Sequence, residues 1–336
     1  MARPGPRNLI TDVPGLMVGN AGDLDAISGV TVILPGDRTV AAVDVRGGGP
    51  GTRETDALAP ENLVGSIDAI VLAGGSVFGL DAAGGVTAHL AARGRGFGMP
   101  GTAFLSPIVP AAILFDLTNG GNKAWGTDPP YRRLGLEALN AAAADFELGN
   151  AGAGLGARAG SLKGGLGSVS TVTHDGLIVG ALVAANPFGS TLIPGTRTFW
   201  AWPFAQNGEL GDQQPPLLSG GIPLDWPDDT KNPTLGRTNT TIGLVATNAA
   251  LTTAEAKRVA IMAQDGFARA CRPMHTPVDG DVLFALATCD WILPEPRALA
   301  VARIGMIAAD CAARALARGV YEARSIGEMV GYRDSA

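Results

Sequence analysis

Short apolar runs alternate along the chain with polar, glycine-rich breaks. VTVILPG (30–36), VAAVDVRGG (40–48), AIVLAGG (69–75), GLIVGALVAAN (176–186), TIGLVATN (241–248) and DVLFALAT (281–288) are rich in β-formers. None alternates apolar with polar positions, which predicts strands covered on both faces. Helical stretches lie between and after them. In LTTAEAKRVAIMAQDGFARACR, Thr252 and Glu255 have the spacing of a capping box. A last long helix is expected to place Pro296 in its first turn, run through an Ala/Leu/Arg-rich body and exit through a left-handed Gly319. Helices and strands mix without a repeat period, an α/β pattern. From 187 to 239 the chain turns to Pro, Gly, Asn, Asp and Trp, and PPLLSGGIPLDWPDDTKNP excludes regular helix or a central strand. A connection of that length inside a compact domain is expected to be functional or to be cut. It ends at Asn239.

Composition narrows the function classes. A chain of 336 residues can bury one large core or two ordinary ones. With 48 glycines and 5% aromatics, tight turns and close packing carry much of the structure. A net charge of −6 without a basic run excludes an electrostatic nucleic-acid surface and leaves small-molecule or peptide substrates. The amino terminus, MARPGPRNLITDVPG, has no apolar stretch behind it, and no segment approaches bilayer-crossing length. A soluble, cytoplasmic protein without membrane contact is the expectation. Cys271, Cys289 and Cys311 have neither metal-like nor redox-like spacing and read as buried thiols. His89, His174 and His275 are scattered, and Cys271 with His275 supplies only two ligands, short of a zinc site.

The chemistry concentrates in GRTNTTIGLVATN, 236 to 248, where Asn239, Thr240 and Thr241 precede a strand. As a glycosylation acceptor the triplet lacks a secretory signal. As plain structure, the two threonines are β-branched strand starters after an Asn turn. As chemistry, Thr240 is a masked nucleophile. A threonine hydroxyl is weak by itself, but a terminal threonine carries its own base, an α-amine with a reference pKa of about 7.7 to 8.0. Elsewhere VLAGGSVFGLDAAGG has the look of a phosphate loop, yet it is neither GxGxxG nor a Walker motif. It reads as tight packing or as backbone facing a substrate. Asp279 and Asp281, two apart before a strand, can project to the same side of an extended backbone, or simply make a polar turn with Gly280.

Six motifs in order, RGGGPGTRETDAL (46–58), LAGGSVFGLDAAGGV (72–86), SLKGGLGS (161–168), AANPFG (184–189), NTTIGLVATN (239–248) and HTPVDGDVLFALAT (275–288), decide between these readings. Together they span nearly the whole chain and closely resemble the L-aminopeptidase/D-Ala-esterase/amidase family. These self-processing peptidases with an amino-terminal nucleophile include β-peptidyl aminopeptidases and endo-type nylon-oligomer hydrolases. The resemblance implies an α/β, four-layer α-β-β-α sandwich like that of N-terminal nucleophile hydrolases. It implies one structural domain, cut into a large subunit, 1–239, and a small one, 240–336, that stay together. Thr240 then stands at the family nucleophile and Asn239 at the new carboxyl end, with Asn-Thr-Thr resembling the nylon-oligomer branch.

The same resemblance suggests the remaining roles. Asn186 hydrogen-bonds the surroundings of the nucleophile or the oxyanion; without the family it is a capped turn before Pro187. Lys163 lies near the nucleophile, where an ammonium favours a neutral terminal amine. Asp279 and Asp281 orient Lys163, hold the new ammonium or bind a substrate amine. Tyr131, in PPYRRLG, helps to hold the tetrahedral oxyanion. The implied reaction is amide hydrolysis of aminoacyl amides or short peptides, with aminohexanoate oligomers as a further substrate, through an acyl-enzyme and with no metal or organic cofactor. The implied assembly is a homotetramer. The alternative is acyl transfer of the ornithine acetyltransferase type.

Overall fold

The computed structural model describes residues 2–211, 213–214, 221–231 and 239–335. Ten strands form its two five-stranded sheets: β1 (Leu16–Asp23), β2 (Ser28–Pro35), β3 (Val40–Val45), β4 (Thr52–Arg53), β5 (Ile70–Ala73), β6 (Ala111–Ile113), β7 (Gly165–Val172), β8 (Ile178–Ala185), β9 (Ile242–Ala249) and β10 (Val282–Trp291). Four helices accompany them: α1 (Asp81–Ala92), α2 (Tyr131–Asn140), α3 (Thr253–Ala270) and α4 (Arg297–Glu322). The first sheet has the order β1-β2-β5-β6-β4 and the second β7-β8-β9-β10-β3. Each sheet is antiparallel except for one internal parallel pair, β5 with β6 and β9 with β10.

Three apolar layers bind these elements. Ile33, Ile70 and Leu72 of the first sheet pack against Leu182, Leu244 and Phe284 of the second. The outer face of the second sheet, with Val183, Val245 and Leu283, meets Phe267 of α3 and Ile304 and Leu316 of α4. The outer face of the first, with Val30, Val32 and Val71, meets Val86 of α1 and Leu134 of α2. This is the expected α-β-β-α sandwich. It explains why the strands lack alternation, since both faces of β9 are covered and all eight of its residues are buried. Cutting a filled position such as Phe284 back to Ala would cost about 3–5 kcal/mol.

Local chemistry sets the helix ends. Thr252 caps α3 and forms the expected box: its hydroxyl accepts from the Glu255 N–H at 3.3 Å, while the Glu255 carboxylate accepts from the Thr252 N–H at 2.8 Å. Pro296 is not in the first turn of α4 but caps it from outside in an extended conformation, and Gly319 is not its exit, because the helix continues to Glu322. The missing side chain at 319 serves packing instead. A Cβ at Gly167 of β7 would stand 1.9 Å from the Ala315 carbonyl oxygen and 2.3 Å from the Gly319 nitrogen, so α4 and β7 touch backbone to backbone. A second correction concerns the thiols. Cys271 and Cys311 are buried but Cys289 is exposed, near the end of β10 where the strand's burial falls away. Among the described residues no helix is long and apolar enough to cross a membrane.

Candidate active site

The parallel pairing of β9 with β10 builds the site. Ile242 stands opposite Val282, and the same register continues past both strand ends to an isolated bridge between Asn239 and Asp279. The ladder therefore carries NTT and DGD side by side. The Gly280 N–H donates to the Asn239 carbonyl at 3.0 Å, and the Val282 N–H to the Thr241 carbonyl at 3.1 Å. The Thr240 hydroxyl is also hydrogen-bonded to the Asn239 carbonyl oxygen. A Cβ on residue 280 would lie 2.7 Å from Thr240 Oγ1 and 2.7 Å from the Gly49 carbonyl oxygen, so only glycine leaves room for the hydroxyl. The RGGG turn latches this loop from the other side, with the Gly49 N–H on the Asp279 carbonyl at 2.8 Å and the Arg46 N–H on the Asp281 carbonyl at 3.0 Å.

Both carboxylates are fully buried and held by donors. Asp279 accepts from the Phe188 N–H at 3.1 Å, the Thr276 N–H at 3.0 Å and the Thr276 hydroxyl at 2.6 Å. Asp281 accepts from the Thr241 N–H at 2.7 Å and the His275 N–H at 3.1 Å, and lies 2.8 Å from His275 Nδ1. Burial, and then the charge of Asp281, push the Asp279 carboxyl above its ordinary value. The carbonyl of Asn186, just beyond β8, accepts from the Thr240 N–H at 2.9 Å. Its side chain accepts from the Arg158 N–H at 2.9 Å and donates to the Phe115 carbonyl at 3.1 Å. Asn186 therefore grips the nucleophile candidate through its backbone oxygen.

Lys163 and Tyr131 bond elsewhere. Lys163 lies on a short hairpin, Arg158–Ala159 with Leu162–Lys163, and its buried ammonium donates to the Gly154 and Gly164 carbonyls at 2.8 and 2.6 Å. Burial pushes its pKa down to about 7, opposed by Asp116 rather than by Asp279 or Asp281. Tyr131, also buried, donates its hydroxyl to Ser28 at 3.0 Å, and Ser28 donates to Asp116 at 2.7 Å. Burial and Asp116 push its phenol up. Asp116 follows Phe115, whose carbonyl accepts from the Asn186 side chain, so this network is joined to Asn186 through the backbone. The lysine that reaches Asn186 is Lys231. Its ammonium lies 3.0 Å from both the carbonyl oxygen and Oδ1 of Asn186. Burial pushes its pKa down to about 7, opposed first by Asp279 and more weakly by Asp281.

With the fold and this cluster in view, comparison places the chain. The model of Peptidase family S58 matches residues 8–333. The chain belongs to peptidase family S58. A Mycobacterium tuberculosis protein named as an uncharacterized aminopeptidase is 42% identical over 346 residues, covering 97% of each chain. A 6-aminohexanoate-oligomer endohydrolase from Kocuria sp. is 30% identical over 316 residues, covering 86% of this chain and 78% of that one. The solved L-aminopeptidase D-Ala-esterase/amidase from Ochrobactrum anthropi, described as a variant of the Ntn hydrolase fold, superposes with a TM-score of 0.70 at 22% identity, covering 96% of this chain and 88% of the other. A Burkholderia sp. beta-aminopeptidase matches with a TM-score of 0.70 at 22% identity, covering 97% and 90%. At that identity the two structures speak for the fold.

Two residues of this cluster escape a reading of motifs. Gly280 offers only a backbone N–H, and its place opposite Asn239 follows from the β9–β10 register. Lys231 lies in the irregular stretch before Asn239, in DDTKNP, where a lysine carries no signal beyond its type.

Proposed function

We propose that this chain is a self-processing amide hydrolase in which Thr240 cuts its own bond to Asn239 and then serves as an amino-terminal nucleophile. The observation that supports it is the triad of atoms at the bond: the Thr240 hydroxyl rests on the Asn239 carbonyl oxygen, and the Gly280 N–H donates to that same oxygen. Attack of Oγ1 on the Asn239 carbon closes a five-membered ring and moves charge onto an oxygen that already has a donor at 3.0 Å, within the range useful for an oxyanion. The C–N bond breaks as the nitrogen takes the hydroxyl proton, and water opens the resulting ester. The products are a large subunit ending at Asn239 and a small subunit beginning at Thr240, sharing one sandwich.

In the mature enzyme the Thr240 amine, directly or through a water, removes the hydroxyl proton while the oxygen attacks a substrate amide. The amine returns the proton to the leaving nitrogen, and water hydrolyses the acyl-enzyme. Asn186 orients the amine, and the Asp279/Asp281 pair fixes the loop opposite it. Exo-acting hydrolysis of L-aminoacyl amides and short peptides is favoured by the aminopeptidase-named relatives that cover 97% of this chain. The oligomer endohydrolases at 30% identity support a second activity, on aminohexanoate oligomers. We place the enzyme in the cytoplasm, where three free thiols persist, as a homotetramer of cleaved protomers. Intact mass of the wild type and Thr240→Ala, with turnover of an aminoacyl anilide, tests the reading; a Thr240→Ala protein that is cut and active ends it.

A further inference from the structure

Two nitrogens converge on one oxygen beside the candidate nucleophile. The Asn186 carbonyl accepts from the Thr240 N–H at 2.9 Å and from Lys231 Nζ at 3.0 Å. Lys231 is brought there by a held strap. Its own N–H donates to the Phe188 carbonyl at 3.0 Å, the Asp229 carbonyl accepts from the Ser161 N–H at 2.8 Å, and the Asp229 carboxylate is bonded to the Ser190 hydroxyl. The strap is also anchored by Trp226, whose ring packs edge-on to Phe188 at 5.2 Å. Phe188 in turn donates its N–H to Asp279, so strap, carboxylate and Asn186 form one connected unit. Among the described residues, the charged and titratable groups around Lys231 include Asp279 and Asp281 from the loop before β10, Arg158 from the short hairpin, and Cys271 after α3. His275 lies against Asp281.

We propose that Lys231 and the Thr240 amine released by cleavage form a pair on the Asn186 carbonyl that carries a single extra proton, so that a cationic Lys231 keeps the Thr240 amine neutral. The proposal rests on Thr240 being the nucleophile. Two ammonium groups sharing one acceptor repel each other in a buried site, so the second proton is lost from the pair before the first. Asp279, whose carboxyl is pushed above its ordinary value by burial and by the charge of Asp281, and Asp281 itself are the anions that act on Lys231. Lys231 Nζ reaches both oxygens of Asn186 at 3.0 Å, which holds the shared proton on the lysine side of the pair, and in that form the Thr240 nitrogen has a lone pair for the hydroxyl proton when the O–C bond forms. It gives that proton to the leaving nitrogen when the C–N bond breaks. Lys231 is thus a positioning residue that acts through the amine. Lys163, which donates to the Gly154 and Gly164 carbonyls and has Asp116 as its charged neighbour, is not bonded to this oxygen.

The test compares full-length wild type, Lys231→Met, Lys231→Arg and Thr240→Ala by intact mass, melting temperature and the pH profile of kcat/KM on L-alanine p-nitroanilide. Met removes the cation, so the acid limb should move up by about one pH unit or more; Arg keeps the cation, so the limb should stay at or below its wild-type position. Amine ionisation is strongly temperature dependent and carboxylate ionisation nearly independent of it. The limb should therefore shift between two assay temperatures, and a fixed limb would assign it to Asp279 and overturn the pair. An unmoved limb in a folded, cleaved Lys231→Met protein also overturns it. If the Met variant does not fold or process, Lys231→Arg decides: a limb raised by a full unit with the charge retained overturns the proposal. Thr240→Ala separates the two levels, since a cut and active variant sinks the nucleophile itself, whereas an inert one leaves only the pair at stake.

Discussion

The amide of Gly280 donates to the carbonyl oxygen of Asn239 at 3.0 Å across the extension of a parallel ladder. That bond polarises the carbonyl proposed to be cut, and the bare Cα of Gly280 leaves space for the attacking hydroxyl. Gly280→Ala puts a methyl 2.7 Å from Thr240 Oγ1 and from the Gly49 carbonyl oxygen, forcing one or the other to move. Losing one aligned oxyanion donor typically costs about 100- to 1000-fold in rate. Gly280→Ala should therefore accumulate full-length chain in a gel time course of fresh protein. Cleavage at the wild-type rate would mean that this amide has no part in processing.

Thr240 is buried, its N–H on Asn186 and its hydroxyl on Asn239. Thr240→Ala should remain a single full-length chain without amidase activity. Thr240→Ser, which keeps the oxygen and the future amine, should still be cut and retain turnover. The alanine variant loses one hydroxyl and a methyl group, so its stability should fall by only about 1–2 kcal/mol. Mass spectrometry with a thermal melt checks both parts, and a large drop in melting temperature would attribute the lost activity to unfolding.

How much of this was legible in the sequence depends on which atoms do the work. The six apolar runs became β2, β3, β5, β8, β9 and β10 because burial on both faces demands continuous Val, Ile and Leu. The strands LMVGNAGD and GLGSVSTV, β1 and β7, carry no such run because glycines and polar side chains interrupt their apolar positions and answer to neighbours rather than to a hydrophobic period. Gly319 resembles a helix exit by residue type alone, while its lack of a Cβ serves contact with β7. At the site, Asn186, Thr240, Asp279 and Asp281 lie in recognisable motifs. Gly280 acts through its backbone, and the reach of Lys231 depends on how an irregular strap is pinned. The hydroxyl of Tyr131 and the ammonium of Lys163 have partners set by the packing of Ser28 and Gly154, which no local pattern encodes.

Asp279 and Asp281 should act as a unit, and Lys163 should stand apart from them. The two carboxylates fix opposite sides of one loop, Asp279 through Phe188 and Thr276, and Asp281 through Thr241 and His275. Removing either should cost most of the activity, and removing both should cost little more than one, because the loop is already lost. Lys163, bonded to Gly154 and Gly164, should combine additively with either aspartate. Rates for the singles and doubles in Asn and Met substitutions measure this. A strong Lys163–Asp279 coupling would place that lysine in the same network after all.

Burial of Lys163 gives stability a definite pH dependence. Its folded pKa, pushed down to about 7 from 10.5, means that between those values the unfolded chain holds a proton the folded one has released. Stability should therefore rise with pH across that window, and the burial cost should be felt in full below pH 7. Lys163→Met removes up to one proton from this linkage, about 1.4 kcal/mol per pH unit at most. Denaturant midpoints at several pH values from 6 to 10 should show a shallower rise for the variant. Parallel curves would mean that the ammonium stays solvated or paired in the fold.

We expect assembly and substrate choice to meet at the stretch before Lys231. Leu224 is 99% exposed and Trp226 58%, and both lie on the stretch that precedes Lys231. Phe104 and Leu63, each 84% exposed, add further apolar surface. Burying such side chains between protomers is worth about 1.5–3 kcal/mol apiece, and the strap that carries Trp226 also positions Lys231 against Asn186. A homotetramer of cleaved protomers should therefore lose activity on dilution as the strap loses its cover, in step with its mass in light scattering. A subunit wall beside the strap should also favour short substrates, so aminoacyl amides should turn over faster than aminohexanoate oligomers at every concentration. Leu224→Ser with Trp226→Ser should weaken association and widen the cleft, raising the oligomer-to-amide ratio. A fully active wild-type monomer would remove assembly from the mechanism, and an unchanged substrate ratio in the double variant would locate specificity elsewhere.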